Sequence, residues 1–249
     1  MHPESVAELL LWTPPPSRPV IADGVLEEQS RLILFGMWDS LKSMVAMHTG
    51  FCIATGKPWL GYKTTTNPTL IVQLELPKVQ NWKRIVKYCT GNHVAPKNLY
   101  FIHDFQLKLD KDYSMKSLEQ AILSTGARVL IVDPIYKVLS GDISSSTDVL
   151  RFLDNMDGLI IKYGLTIILV GHTKKFTPDQ VWNWGQELMG SSYFQNWTDT
   201  AVYLERKLGV EEERKEVVLQ FVKTRLAEET IKPINLVVDT YDLTFGLTG

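Results

Sequence analysis

The sequence predicts an α/β protein: a mostly parallel central sheet flanked by helices, with antiparallel strands at its carboxyl-terminal edge. Three observations carry that reading. Apolar patterns suited to strands buried on both faces recur at 32–35, 69–74, 129–132 and 166–170. Helical periodicity fills intervals between them, most clearly at 148–163, where Leu150, Leu153, Met156, Leu159 and Ile160 line one side. Beyond residue 200, strand patterns follow one another without helices, at 201–205, 217–223, 235–239 and 243–245, as hairpin-connected strands do.

At 249 residues the chain is long enough to bury a large single core. Apolar residues make up 45% and charged residues 22%, the balance of an ordinary globular protein. Lys and Arg number 26 against 28 Asp and Glu, so no bulk basic character marks a nucleic-acid binder. Such binding needs a local patch, or a ring of subunits that presents one loop many times. Cys52 and Cys89 lack metal-ligand spacing and sit in apolar segments, as reduced thiols of a cytosolic protein do. Residues 1–11 have neither a basic start nor a long apolar run, which argues against a signal peptide. No stretch approaches the ~18–20 apolar residues of a membrane span.

The chain divides into an amino-terminal arm, 1–17, and an α/β domain, 18–249. The arm holds a short apolar cluster, Val6 to Trp12, and then Thr13-Pro14-Pro15-Pro16, which fixes an extended spacer. Such a piece is either a clasp onto a neighbour or a loosely ordered terminus.

The domain is organised around 31–46. Apolar residues ending at Phe35 form a buried strand, Gly36 opens a tight loop, and Lys42-Ser43 start a helix that runs to about Ala54. Backbone N–H groups of such a loop and of the first helical turn lack intrahelical partners and point at an anion, aided by the helix dipole. Lys42 supplies a cation for outer phosphates and Ser43 a hydroxyl for Mg²⁺. The pattern is Gly, four residues, Gly, Lys, Ser or Thr, and here Leu41 stands at the second glycine. Asp39 adds a carboxylate to a loop built for anions.

Further along, Glu75 follows the 69–74 strand directly, the place of a base that polarises water and equally of a solvated strand end. Residues 77–90 read as a helix with Val79, Trp82, Ile85, Val86 and Cys89 at helical spacing and Lys83, Arg84 and Lys87 on the other side. A short strand at 98–102 and a helix at 117–124 lead to the 129–132 strand, closed by Asp133-Pro134. An acid there can hold a nucleotide's Mg²⁺, and the proline stops the ladder. A Gly/Asp/Ser loop spans 139–147. His172 ends the 166–170 strand region, either as a sensor of phosphate state or as an ordinary surface histidine. Residues 176–192, preceded by Lys174 and Lys175, contain Trp182 and Trp184, a composition that suits either base stacking or a subunit interface. The charged run 211–216 reads as a hairpin tip. Lys223-Thr224-Arg225 places two cations on the same side of an extended segment.

Taken together, these residues resemble RecA-fold ATPases of the RepA-like and DnaB-type hexameric helicase group. The likeness rests on the cradle ending Lys42-Ser43, on Glu75, Asp133-Pro134 and Gly141-Asp142, and on His172, Gly190-Ser191-Ser192, Asp199 and Lys223-Thr224-Arg225. It covers about Arg18 to Phe245, and an apolar residue before the cradle lysine also occurs in phage and plasmid relatives. The resemblance implies a RecA-like core that binds ATP and Mg²⁺. Gly36, Asp39, Ser40, Leu41, Lys42, Ser43 and Met44 would line the nucleotide, and Ser43 and Asp133 the metal. Glu75 would activate water, His172 would sense hydrolysis, and Lys223 and Arg225 would reach a neighbouring subunit's nucleotide. It further implies a cytoplasmic, phage- or plasmid-encoded ring, hexameric, acting as a replicative helicase on single-stranded DNA or RNA. The alternatives are a recombination or regulatory ATPase without unwinding, and a weakly hydrolysing assembly module.

Overall fold

A computed structural model describes residues 3–14, 16, 18–173, 192–207 and 213–248. The arm carries a short helix, α1 (Val6–Leu11), and a two-stranded ribbon of β1 (Pro19–Ile21) and β2 (Leu26–Glu27) precedes the main sheet. Then follow β3 (Arg31–Gly36), α2 (Lys42–Thr55), β4 (Thr69–Gln73), α3 (Lys78–Asn92), β5 (Leu99–Ile102) and α4 (Asp112–Thr125). β6 (Val129–Asp133), α5 (Ile135–Val138), α6 (Ser146–Tyr163) and β7 (Thr166–His172) come next, and the chain ends with α7 (Tyr193–Trp197), β8 (Thr200–Arg206), β9 (Arg214–Thr224), β10 (Ile234–Asp239) and β11 (Phe245–Leu247).

Among the described residues the main sheet has the order β11-β10-β9-β8-β3-β7-β6-β4-β5. Pairing is parallel from β8 through β5 and antiparallel from β8 out to β11. Alternation along each strand sends its side chains to two cores. Ile33 and Phe35 of β3 join Leu130, Val132, Ile167 and Leu169 under α4 and α6. Leu32 and Leu34 join Ile131, Ile168 and Val170 under α2. Both faces are covered, which is why these strands carry apolar residues at successive positions.

Several sequence expectations shift. The helix expected at 117–124 begins at Asp112, and α6 begins at Ser146, capped by the Ser145 hydroxyl accepting from the Asp148 amide. α5 occupies a stretch read as part of a connection, and the last strand lies at Phe245–Leu247 rather than 243–245. α3 differs most: Val79, Trp82 and Val86 face outward, while Asn81 and Tyr88 are buried. The inward polar groups have partners that the sequence alone does not reveal: Asn81 meets His103 Nε2 at 2.7 Å, and the Tyr88 hydroxyl meets His48 Nδ1 at 2.7 Å. The stretch 176–191 with Trp182 and Trp184, together with Lys174 and Lys175, lies outside the described residues. So do residues 211 and 212 of the charged run, whose remainder turns into β9. No described helix is long and apolar enough to cross a membrane.

Candidate functional site

Parallel register brings the chemistry-bearing residues to one end of the sheet. Gly36 is the register partner of His172, and Gln73 of Asp133. Glu75 therefore leaves the tip of β4, Asp133 the tip of β6, His172 the tip of β7 and the glycine loop the tip of β3. These are neighbours in the order β3-β7-β6-β4, and the crevice outside the carboxyl ends of such strands is where α/β sheets bind ligands.

The loop between β3 and α2 forms the floor of this crevice. Gly36 is required by close approach, because a Cβ there would meet the Leu204 carbonyl oxygen at 2.4 Å and Ser40 Oγ at 2.7 Å. Leu41, at the second glycine of the pattern, has φ 61° and ψ 19°, so the turn does require a left-handed residue and a leucine supplies it. Its side chain packs against the Leu32, Leu34 and Val170 core. Asp39 is also left-handed, at φ 58°, and its carboxylate is engaged by Arg206 and by Lys215, the latter at 3.5 Å. Two cations from β8 and β9 thus balance the acid that looked out of place in an anion loop. No side chain caps the amino end of α2, and while the Met44 amide donates to the Leu41 carbonyl at 3.0 Å, the Lys42 and Ser43 amides are left for a ligand.

Lys42 is buried, and its ammonium donates to the Met37 carbonyl and to Ser40 Oγ at 3.1 Å. Burial brings it down to about 8, against the opposing pull of Asp133 and Glu75. Ser43 Oγ donates to Asp133 Oδ1 at 3.1 Å, so a hydroxyl and a carboxylate oxygen face each other at the lip of the crevice. Asp133 is fully enclosed, and burial pushes its carboxyl up to about 6, with the Ser43 hydrogen bond opposing. A buried carboxylate beside a serine hydroxyl is a hard-oxygen donor pair, and a divalent cation would offset the desolvation that Asp133 bears, so these residues fit Mg²⁺.

Glu75 is exposed at the strand tip, its side chain one-third accessible at 33%. Its Oε1 lies 3.7 Å from His172 Nε2 and accepts from the Tyr136 hydroxyl at 3.2 Å. The imidazole beside it, and then the tyrosine hydroxyl, hold its carboxyl below the usual range, although burial works in the other direction. Tyr136 and His172 rings meet edge to face at 5.4 Å between centroids.

Three residues of the crevice escaped the sequence reading. Gln73 donates to Asp133 Oδ2 at 3.4 Å and accepts from the amides of Glu75 and Leu76 at 2.7 and 2.9 Å, fastening the two acidic strand tips to each other. Tyr136 orients Glu75. Arg84 of α3 lines the crevice with Lys42, Asp133 and Glu75 and has no hydrogen-bond or ion-pair partner among the described residues. The crevice measures about 350 Å³, and a second cavity of about 650 Å³ adjoins it through the shared Met44, Leu76 and Arg84, lined also by Trp82, Thr240 and Leu243. These volumes are of the size that small-molecule sites occupy.

Lys223 and Arg225 lie elsewhere. Lys223 pairs with Ala201, which pairs with Ile33, and Arg225 lies beyond Thr224, whose partner Thr200 pairs with Leu32, so both cations sit towards the amino end of β3, about 10 Å or more along the sheet from Gly36. Lys223 donates to the Gln195 and Thr198 carbonyls, both at 2.6 Å, and Arg225 pairs with Asp199 at 3.0 Å, which also holds Arg31. Neither reaches the crevice of its own chain.

The fold and crevice define a RecA-like P-loop nucleotide-binding protein: a parallel sheet with one strand, β7, between the loop strand and the acid strand, and an antiparallel extension. Residues 1–177 match AAA_25, an AAA domain, and the chain belongs to that family. The fold is similar to that of the KaiC-like protein PH0186 from the hyperthermophilic archaeon Pyrococcus horikoshii OT3. The TM-score is 0.62 over 93% of this chain and 96% of that one, at 14% identity. No curated protein matches the sequence.

Proposed function

We propose that the chain is a RecA-type motor that hydrolyses Mg-ATP on single-stranded nucleic acid as a ring of identical subunits, with DNA unwinding as its activity. The observation that carries the nucleotide part is the Ser43–Asp133 contact of 3.1 Å beside buried Lys42, with Glu75 on the adjoining strand tip. The phosphates would lie on the 36–42 loop and the free Lys42 and Ser43 amides of α2, and the nucleoside would extend over Met44 into the larger cavity, where Trp82 offers a face for the base. Ser43 and Asp133 would hold Mg²⁺, which supplies charge neutralisation at the outer phosphates.

Glu75 is placed to orient water towards the γ-phosphate and to take its proton as the oxygen–phosphorus bond forms and the β–γ bridge breaks. Its lowered basicity suits orienting more than strong deprotonation, which a loose phosphoryl-transfer transition state requires. Lys42 and Arg84, which both line the crevice, stabilise the charge that develops. Lys223 and Arg225, held by the Gln195 and Thr198 carbonyls and by Asp199, lie away from their own crevice, and in an assembly with one copy completing the next they would act at a neighbour's.

ATP turnover with and without single-stranded DNA, followed by strand displacement, tests the reading. DNA-stimulated hydrolysis with displacement supports it. Stimulation without displacement points to a recombination or regulatory ATPase, and no turnover at all removes the motor.

A further inference from the structure

A charge cluster flanks the phosphate loop on the side away from His172, since β3 lies between β7 and β8. Side chains on the α2 side of β8 run Val202, Leu204, Arg206, and those on β9 run Leu219, Val217, Lys215. The first two of each belong to the core under α2, and the third is a cation. Gly36 pairs with Leu204 and Arg206 with Val217, so both cations fall just beyond the point at which β3 gives way to the loop. There they meet Asp39, Arg206 through its guanidinium and Lys215 at 3.5 Å.

The charges do not balance. The Arg206 and Lys215 side chains are 28% and 23% exposed, and Asp39 is their one ion-pair partner among the described residues. The Arg206 Nε is buried and has no hydrogen-bond partner among those residues. Two largely buried cations on one carboxylate leave a net positive charge and an unused donor, an arrangement that is costly unless an anion meets it. Asp39 itself lines the crevice, so it touches both the phosphate site and the two cations behind it.

We infer that Asp39 competes with a nucleotide's phosphates for Arg206 and Lys215: the two cations are further phosphate ligands, and the acid sets how firmly the loop holds its anion. A phosphate offers a guanidinium the same pair of acceptor oxygens that a carboxylate does, with more charge. As phosphates settle on the loop they repel the Asp39 carboxylate, and Arg206, on its long stem, follows the stronger anion. This rests on the nucleotide part of the proposed function. It does not rest on assembly, nucleic acid or turnover.

The test is titration of a fluorescent ATP analogue in the presence of Mg²⁺, with melting curves to establish that each variant is folded. Asp39→Asn, which retains a side chain that tolerates a left-handed φ, should bind about tenfold more tightly, and Arg206→Gln about tenfold more weakly, the scale of one charge-assisted hydrogen bond. With both substitutions in one chain, the gain from removing the acid should shrink to about threefold, the share left to Lys215. Opposite signs are what competition requires, because an ion pair that only anchors the loop weakens binding, or leaves it unchanged, when either partner is lost. Weaker or unchanged binding by Asp39→Asn therefore overturns the inference. A gain of full size in the double variant does so as well, since it means direct repulsion of the ligand without any use of Arg206. Should Arg206→Gln not fold, Lys215→Gln takes its place with the same expected sign and the same refuting results. Failure of the unaltered chain to bind the analogue removes the nucleotide reading itself, whereas binding that does not differ among the variants removes this inference alone.

Discussion

Leu41 allows a quantitative test of the phosphate loop, because its backbone and side chain act in opposite directions. Its left-handed φ of 61° costs an L-residue about 1–2 kcal/mol, a cost that glycine does not carry. Glycine in turn loses about 0.5–1 kcal/mol through the greater freedom of its unfolded chain. Leu41→Gly should therefore be more stable than Leu41→Ala by about 0.5–1 kcal/mol, the reverse of the order at an ordinary helix or strand position. Both variants lose the packing of a half-buried leucine on the Leu32, Leu34 and Val170 core, worth about 1–1.5 kcal/mol, so the wild type stays ahead of both. Urea midpoints read at constant slope give the order Leu, Gly, Ala, and melting temperatures for a chain of this size should separate by about 2–4 °C per kcal/mol. An alanine variant as stable as the glycine variant would refute the left-handed turn and the account of why a glycine belongs there. ATP turnover on the same variants shows whether the leucine also slows the wild type: a faster glycine variant means that it does.

Other expectations follow from the crevice. Lys42→Ala should weaken nucleotide binding at least about tenfold, the worth of one charge-assisted hydrogen bond, and a fluorescent-nucleotide titration with unchanged affinity would mean that the loop is no phosphate cradle. Glu75→Gln should keep nucleotide affinity and lower turnover by about 10²–10⁴, and a variant with full kcat excludes Glu75 as the water-orienting group. Arg84→Ala should lower kcat with a smaller change in KM, since its role lies in the developing charge; a change in KM alone would assign it to ground-state binding instead. His48 is buried between Tyr88 and Phe245, and burial brings it down to about 3, so the folded chain refuses a proton that the unfolded chain accepts near 6.5. Its contribution is present above pH 6.5 and declines as pH falls towards 3, amounting to about 2 kcal/mol of lost stability by pH 5. In His48→Gln the pH dependence of the urea midpoint over pH 6.5–5 should flatten, and an unchanged slope would place the acid sensitivity elsewhere.

The architecture and much of the crevice could be read from the sequence because they depend on local pattern. Uninterrupted apolar runs announce strands buried on both faces, and Lys42-Ser43, Glu75 and Asp133 stand at the ends of such runs, where parallel register brings them together. What stayed hidden depends on packing. Gln73 sits inside an apolar run and looks like a strand irregularity until its amide is seen joining Asp133 to the 75–76 turn. Arg84 belongs to a helix whose wet side the sequence reading placed wrongly. Asn81 and Tyr88 turn inward because His103 and His48 satisfy them, and that rotation leaves Val79 and Trp82 facing out. Asp39 looked like an intruder since its cations, Arg206 and Lys215, lie more than 160 residues away in sequence.

The amide of Gln73 has a mechanical consequence. One side chain holds the Asp133 carboxylate through its nitrogen and, through its oxygen, the turn that carries Glu75. The position of the Asp133 carboxylate and that of the 75–76 turn are thus set by one residue, and a change at position 73 is felt at both strand tips together.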